Sequence, residues 1–196
     1  MSINLQKGQR ISLKKEAPSL TRLMCGLGWD VAKKSRGWFS SSPDLDLDAF
    51  VICLDENRKL PQKSDIVYFG NLRHSSGAIT HLGDNLTGAG EGDDEQIIVD
   101  LPTVPTKINR LLFMVNIYKS QKRKQELSQV ENAFVRLVDL SNNKEIARYQ
   151  LSGSQYQNKN GLILAEVYRK DGEWKMAAIG DAFNARNIGE IAQKYT

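Results

Sequence analysis

Short apolar segments, mostly of five to nine residues, recur along the whole chain, with turn-forming residues between them. The segments are rich in Val, Ile, Phe and Tyr, and stretches such as "ENRKLPQKS" and "LPTVPTK" separate them. Short strands at such intervals are typical of sandwiches and barrels built from mainly antiparallel sheets. The pattern therefore predicts an all-β fold.

Two segments have the pattern of a β-hairpin, and two have a weaker helical pattern. In "VYRKDGEWKMA", Asp171 and Gly172 stand between two alternating strands, where Asp-Gly favours a type I′ turn. "LVDLSNNKEIARY" is the second candidate hairpin. "NARNIGEIAQKYT" predicts a short C-terminal helix, and "KSQKRKQELSQVENAF" fits a short helix or a charged loop.

Length and hydropathy predict one domain spanning residues 1–196, in a protein of the cytoplasm. The chain has no internal repeat, no apolar run long enough to cross a membrane and no signal-like N-terminus. Cys25 and Cys53 stand in apolar contexts without metal-binding spacing, so both are predicted to be buried free thiols.

Charge is segregated along the chain. Residues 44–48 hold three aspartates and residues 84–95 hold five acids, and neither stretch contains Lys or Arg. Without these eight acidic residues the net charge of +4 would become +12. Two local acidic clusters in a basic chain indicate binding sites for cations.

The second acidic cluster belongs to a glycine-rich stretch, "GDNLTGAGEGDDE". Glycines alternate at Gly88, Gly90 and Gly92, which frees the backbone and leaves its carbonyl oxygens unshielded. Carboxylates and carbonyls are the ligands that calcium prefers, at six to eight oxygens in irregular geometry, whereas magnesium requires a tighter octahedron. The loop therefore favours calcium. Adjacent Asp93 and Asp94 would point to opposite sides and could serve two ions.

Three other interpretations of this loop are a P-loop, an EF-hand and an acidic surface loop without a ligand. A phosphate-binding P-loop would need a Lys followed by Ser or Thr, and acids stand where phosphate would bind. An EF-hand loop with Asp84 as its first residue would need Gly at its sixth position, where the chain has Ala89, and an oxygen ligand at its third, where the chain has Leu86. A solvated acidic loop without a ligand stays open as an alternative.

The first acidic cluster alternates with leucines in "DLDLDAF". A strand with this period places Asp44, Asp46 and Asp48 on one face and the leucines on the other. Aligned carboxylates repel one another unless a cation or water lies beside them. A strand end with a hydrated face is the simpler alternative, but two such clusters suggest one shared site.

The order of motifs resembles the TerD family of tellurium-resistance and stress proteins. The motifs are "KGQRISLKKEAP", "GLGWD", "DLDLDAFVICL", the block "YFGNLRHSSGAITHLGDNLTGAGEGDDEQIIVDL", "NAFVRLVD", "EIARYQL" and "EVYRKDGEWKMAAIG". The resemblance covers nearly the whole chain. It implies a two-sheet β-sandwich similar to C2 domains, calcium binding with two ions, and no enzymatic activity.

The resemblance also implies a set of site residues at matching positions. These are the acidic pair Asp46 and Asp48, the Asn71 of "GNL", and Asp84, Asn85, Gly88, Gly90, Gly92, Asp93, Asp94 and Glu95 of the loop. Asp30 of "GLGWD" is a further match. The chain departs from the family pattern at Gly70, where the family has asparagine, at Phe50, and in the longer basic stretch before Asp44.

The leading functional hypothesis is a calcium-binding, non-enzymatic stress-response module whose acidic loops become ordered by metal and control contacts with partners. Implied partners are sibling stress-resistance proteins and a membrane-associated complex, with the protein peripheral to the inner face of the membrane. Specific nucleic-acid readout is not expected, because the basic run at 119–125 lacks interleaved aromatics.

Two other classes of function stay open from the sequence. One is a module that binds an anionic surface, lipid or nucleic acid, through Lys33, Lys34, Arg36 and the basic run at 119–124. The other is a metal-dependent hydrolase, for which the sequence offers no basic or histidine motif beside the loop. A triad around His74 or His81 is disfavoured because no nucleophile-elbow motif is present.

Overall fold

The computed structural model describes residues 2–31, 45–83, 93–151 and 156–196. Within them the chain forms twelve strands and three short helices. The strands are β1 (Ile3–Leu5), β2 (Arg10–Ser12), β3 (Arg22–Val31), β4 (Leu47–Leu54), β5 (Ile66–Val67), β6 (Ile79–His81), β7 (Glu95–Asp100), β8 (Arg110–Ile117), β9 (Val130–Asp139), β10 (Lys144–Gln150), β11 (Gly161–Lys170) and β12 (Glu173–Phe183). The helices are α1 (Leu13–Glu16), α2 (Ser120–Arg123) and α3 (Ile188–Ala192).

The strands form two six-stranded sheets. The first has the order β1-β10-β9-β3-β7-β6 and the second β2-β12-β11-β8-β4-β5. Among the described strands all neighbours pair antiparallel except β1 and β10, which run parallel. The predicted all-β class and the two-sheet sandwich are both confirmed.

The main hydrophobic core lies between the sheets, and a smaller one lies outside the second sheet. Along β4, Val51 and Cys53 belong to the core between the sheets. The alternate residues Phe50 and Ile52 belong to the outer cluster, together with Ile191 of α3. β4 is therefore buried on both faces, which explains its continuous apolar sequence after the acidic start.

The hairpins, the C-terminal helix and the free thiols agree with the sequence predictions. Asp171 and Gly172 have φ of 56° and 75° between β11 and β12, as a primed turn requires. β9 and β10 form the second hairpin. α3 begins after Asn187, whose side chain accepts a hydrogen bond from the Glu190 N–H. Cys25 and Cys53 are buried and free.

One end of the sandwich collects most of the predicted site. β4 and β7 begin there, and the antiparallel register shows that β3 and β8 end there. We call it the acidic end and define it by Asp46, Asp48, Asp94 and Glu95. The hairpin turns 140–143 and 171–172 lie at the opposite end, because β9 and β11 run away from the acidic end.

Candidate functional site

Part of the predicted site lies outside the described residues. Asp44 and the loop residues Asp84, Asn85, Gly88, Gly90 and Gly92 belong to this part. For Asp30 the structure describes only the backbone, which pairs with Glu131 near the end of β3. The described part of the site consists of the start of β4, the end of β6 and the start of β7.

Asp46 and Asp48 are buried at the start of β4. Leu45 and Leu47 belong to the core between the sheets, so the alternation places the two aspartates on the outer face of the second sheet, as predicted. The Asp46 carboxylate lies 3.5 Å from the Arg123 guanidinium, and its backbone oxygen accepts a hydrogen bond from the Tyr118 N–H. Asp48 stands opposite Asn116 of β8.

Glu95 begins β7 and points between the sheets. Its carboxylate is buried and accepts a hydrogen bond from the backbone N–H of Ala49 at 2.5 Å. Ala49 belongs to β4, so this bond joins the first sheet to the second beside Asp48. Among the described strands, none pairs with the β4 edge at Ala49, because β5 pairs with Val51 and Ile52. The Glu95 carboxylate therefore supplies the hydrogen-bond acceptor that a neighbouring strand would otherwise offer to the Ala49 N–H.

His81, at the end of β6, completes the same contact. Its Nδ1 accepts a hydrogen bond from the Gly83 N–H at 3.1 Å, so the ring proton is on Nε2. Nε2 lies 3.1 Å from the Ala49 carbonyl oxygen and 3.5 Å from the Glu95 carboxylate. The His81 ring therefore ties the end of β6, close to the acidic loop, to the backbone of β4.

Asp94 supports the end of β3. Its carboxylate accepts a hydrogen bond from the Trp29 N–H at 2.8 Å, and its own N–H donates to the Leu27 carbonyl. The register of β3 against β9 shifts between Gly28 and Asp30, so the contact falls at an irregularity of the strand. The loop is thereby joined to the "GLGWD" motif.

Asp93 is engaged elsewhere. Both of its oxygens accept hydrogen bonds from Arg136 of β9, at 2.7 and 2.9 Å, and the Asp93 side chain has no solvent exposure. The contact with Asp93 raises the pKa of the Arg136 guanidinium, against the lowering effect of burial. Asp93 and Asp94 thus point in different directions, as the sequence predicts, and Asp93 points to an arginine.

Gly26 in β3 leaves the space that this ion pair occupies. A Cβ at this position would come within 2.3 Å of an Asp93 carboxylate oxygen, which is closer than real Cβ contacts. The first glycine of "CGLGWD" is therefore explained by the Asp93–Arg136 pair.

Asn71 stabilises a turn. Its side-chain amide donates to the carbonyl oxygens of Ile66 and Ser64, at 2.7 and 3.3 Å, and its backbone pairs with Tyr68. The neighbouring Gly70 lies under the Tyr68 ring, and a Cβ there would come within 2.6 Å of that ring. This contact accounts for the glycine at position 70.

His74 forms a separate buried cluster with Asp65 and Ser76. Its Nε2 lies 3.0 Å from the Asp65 carboxylate, and its Nδ1 lies 2.7 Å from the Ser76 hydroxyl. The Ser76 N–H also donates to Nδ1, and the Gly77 N–H donates to the His74 carbonyl. The bonds to Ser76 and Gly77 hold a tight turn. The carboxylate that faces His74 is that of Asp65.

The structure brings together two parts of the chain that are distant in sequence. Asp46 and Asp48 lie at the same end of the sandwich as Asp94 and Glu95, through the Glu95–Ala49 bond. Within residues 2–31, 45–83, 93–151 and 156–196, no three His, Cys, Asp or Glu side chains form a metal-binding group by themselves. Loop residues 84–92 would have to contribute ligands.

Sequence reasoning missed the residues that support these acids. Arg136 belongs to a distant strand that no local pattern marks. Arg123 lies in the basic run at 119–124, which predicted an anionic surface as its partner and not Asp46. His81 carried a signal, because it stands three residues before Asp84, the first acid of the loop.

The whole chain matches one family model, the TerD domain, over residues 1–195. The β-sandwich with an acidic end, built from the motifs described above, is thus the TerD architecture, and the chain belongs to the TerD family.

Relatives with established names agree with this assignment. The chain is 46% identical over 200 residues to the stress response protein SCP2 of Bacillus subtilis, covering 100% of both chains. It is 40% identical over 195 residues to the tellurium resistance protein TerD of Serratia marcescens, covering 100% of this chain and 97% of the relative.

Solved structures share the fold. A homologue of the telluride resistance protein TerD from Streptomyces coelicolor superposes with a TM-score of 0.69 at 19% identity, covering 91% of this chain and 99% of the other. Among the described helices none is long and apolar enough to cross a membrane.

Proposed function

We propose that this chain is a non-enzymatic calcium-binding module that acts in the stress response, and that its acidic end holds the metal. The main support is that three buried carboxylates lie at one end of the sandwich, with Asp46 and Asp48 on the outer face of the second sheet and Glu95 between the sheets. A glycine-rich acidic stretch leads into Glu95 in the sequence. Oxygen ligands of this kind suit calcium.

The proposed ligand set combines both halves of the site. Asp46, Asp48, Asp94 and Glu95 supply carboxylates, and Asp84, Asn85, Gly88, Gly90 and Gly92 supply side-chain and carbonyl oxygens from the loop. Asp30 and Asp44 stay as further candidates. Asp93 and Asn71 have supporting roles in this proposal, because Arg136 and the backbone at Ile66 and Ser64 engage them.

Calcium would act by removing repulsion. Two ions would neutralise four carboxylate charges, and the residues around them would become fixed relative to β4 and β7. His81 holds the start of the loop through Gly83, and Asp94 holds its end through Trp29. Both ends of the loop are anchored to strands. The free energy of metal binding would therefore stabilise one conformation of the residues between them.

Direct tellurite reduction by thiols does not form part of the proposal. Burial raises the pKa of the Cys25 and Cys53 thiols, with smaller contributions from Asp93 and Asp65. The reactive thiolate is therefore disfavoured at both positions. We propose instead that resistance depends on partner proteins, which are siblings of the same family or a membrane-associated complex.

Metal analysis and calorimetric titration of the chelator-treated protein test the proposal. We expect one or two calcium ions per chain, with binding lost when Asp46→Asn and Asp48→Asn are combined. The matched control is Asp171→Asn, which removes one carboxylate from a hairpin turn at the opposite end and should bind normally. Equal calcium binding by the double variant and the control would contradict the proposed site.

A screen with phosphoester substrates tests the non-enzymatic part. We expect no turnover with calcium or magnesium. Turnover that disappears in Asp84→Ala would favour a metal-dependent hydrolase.

A further inference from the structure

We propose that the acidic end carries a docking surface for anionic lipid bilayers, made of Phe69, Leu72 and Leu82 with the cations Arg73, Lys119 and Lys122. The dependence of docking on calcium rests on the proposed function, whereas the surface itself stands on separate observations. We call these six residues the docking surface.

The docking surface contains the large hydrophobic side chains that are exposed in the described chain. Phe69, Leu72 and Leu82 are 42%, 44% and 55% exposed. They lie on one short segment: Phe69 belongs to the Tyr68–Asn71 turn, and Leu72 accepts a backbone hydrogen bond from His81, the residue before Leu82. Grouped exposed apolar side chains mark interaction sites more often than single ones.

This hydrophobic segment lies at the acidic end. β5 runs antiparallel to β4 and therefore toward that end, and so does β6 against β7. Phe69 follows β5 and Leu82 follows β6. The backbone N–H of Leu82 donates to the Gln96 carbonyl, beside Glu95. The residue after Leu82 leads directly into the acidic loop.

Two cations lie against Tyr118, the ring that contacts Phe69. The Phe69 ring packs edge-on against Tyr118, with 6.3 Å between centroids. The Lys119 ammonium lies 4.6 Å from the Tyr118 ring centroid, and the Arg123 guanidinium lies 5.5 Å from it. Lys119, Lys122 and Arg73 are exposed. Each exposed cation would attract a negatively charged surface.

A lipid bilayer fits this combination better than a protein groove does. Leucine and phenylalanine can enter the boundary between headgroups and acyl chains while lysine and arginine stay at the phosphates. The nearby carboxylates would oppose docking to anionic lipid when they are not neutralised. Calcium at the acidic end would remove that repulsion, so calcium should strengthen docking.

Vesicle sedimentation tests the surface. Full-length protein is mixed with phosphatidylcholine vesicles, with or without phosphatidylserine, in calcium or in EDTA. We expect sedimentation with phosphatidylserine vesicles in calcium, and little with phosphatidylcholine alone. Leu72→Ser combined with Leu82→Ser should weaken binding by about tenfold or more, since two apolar contacts are lost.

Matched charge variants separate the docking surface from the general basicity of the chain. Lys119→Gln with Lys122→Gln should lower binding by about twenty-five-fold, from roughly fivefold per cation. Lys144→Gln with Lys170→Gln removes two exposed lysines from the opposite end and should leave binding unchanged. Equal losses in the two pairs would overturn the proposal.

Melting curves of the same samples distinguish the two proposals. A calcium-dependent melting shift without vesicle binding would overturn the docking surface and leave calcium binding standing. Vesicle binding that persists in EDTA, without a melting shift, would support the surface and contradict the calcium proposal. A third outcome is self-association of the protein that Leu82→Ser abolishes, together with no vesicle binding. This outcome would overturn the lipid proposal and assign the docking surface to a second copy of the chain.

Discussion

The Glu95 carboxylate in the first sheet accepts a hydrogen bond from the Ala49 N–H in the second sheet, with 2.5 Å between the two atoms. His81 faces the carbonyl of the same residue at 3.1 Å. Two side chains thus satisfy a backbone edge that β5 does not reach. The contact closes the sandwich where the acidic loop begins and ends, so it links the fold to the proposed metal site.

Glu95→Ala should destabilise the fold. The Ala49 N–H would lose its buried acceptor, and leaving a buried donor unpaired costs about 1–3 kcal/mol. Glu95→Gln keeps an acceptor oxygen and should cost less. Urea unfolding in EDTA measures both, so that metal binding does not contribute. Equal free energies of unfolding for the alanine variant and the unsubstituted protein would show that the Glu95–Ala49 hydrogen bond does not stabilise the fold.

Arg136→Gln should be more damaging than its partial exposure suggests. The Asp93 carboxylate would stay buried without its guanidinium partner, and removing one partner of a buried pair costs about 3 kcal/mol or more. The matched control is Arg148→Gln, because Arg148 pairs with the more exposed Glu145. Chemical denaturation should give a small change for the control. Equal losses of stability in the two variants would contradict the larger contribution of the Asp93–Arg136 pair.

Gly26→Ala should break the same pair from the other side. The added methyl group would overlap the Asp93 carboxylate, which hydrogen bonds from Arg136 hold beside Gly26, the residue opposite Arg136 in the β3–β9 register. We expect reduced thermal stability, with Gly8→Ala as a control whose Cβ would meet no atom, although its positive φ causes some strain. Stability loss in Gly26→Ala should shrink when it is combined with Asp93→Ala. Additive losses would contradict the overlap.

Glu145 should contribute to the pH dependence of stability. Partial burial raises the pKa of its carboxyl, but hydrogen bonds from Arg148 and Ser2 outweigh that effect, so the pKa lies below its ordinary value of 4.5. A depressed pKa in the folded state stabilises the fold above the unfolded pKa, and the stabilisation is lost as the pH falls through the folded pKa.

Urea unfolding of Glu145→Gln measures this contribution. The variant should lose less stability than the unsubstituted protein between about pH 6 and about pH 3. Glu56→Gln replaces an exposed glutamate in a turn and serves as the control. A pH dependence of Glu145→Gln that equals that of the unsubstituted protein would refute the assignment.

Both cysteines should resist thiol reagents in the folded protein. Each is buried, and burial raises the pKa of each thiol. Ellman's reagent at mildly alkaline pH should react with neither, and should titrate both after unfolding. Ser19→Cys places a thiol at an exposed position as a positive control. Rapid reaction of the unsubstituted native protein would contradict the described burial.

The fold could be predicted because its signals are local. Alternation in the short apolar segments, the Asp171–Gly172 turn and the spacing of Ile188 and Ile191 all report on neighbouring residues. The order of strands within the sheets could not be predicted, because pairings such as β1 with β10 join residues far apart in sequence.

The site could be predicted only in part, for the same reason. The acidic residues are visible as two charge clusters, which predict one shared site. The structure places Asp46 and Glu95 at the same end of the sandwich, and the shared metal site stays a prediction. Whether a carboxylate faces solvent, a metal position or an arginine depends on distant strands. Asp93 and Asp94 are adjacent in sequence, yet Arg136 engages one and the Trp29 N–H the other.

Thermal melting of the full chain in EDTA and in increasing free calcium is the most direct test of calcium binding at the acidic end. Ligand that binds only the folded state stabilises it by about 2.7 kcal/mol at a hundredfold excess over Kd, which for a chain of this size raises Tm by about 5–10 °C. We expect that rise, and expect Asp46→Asn with Asp48→Asn to abolish it. An unchanged Tm, with no calcium bound by metal analysis, would contradict the proposal.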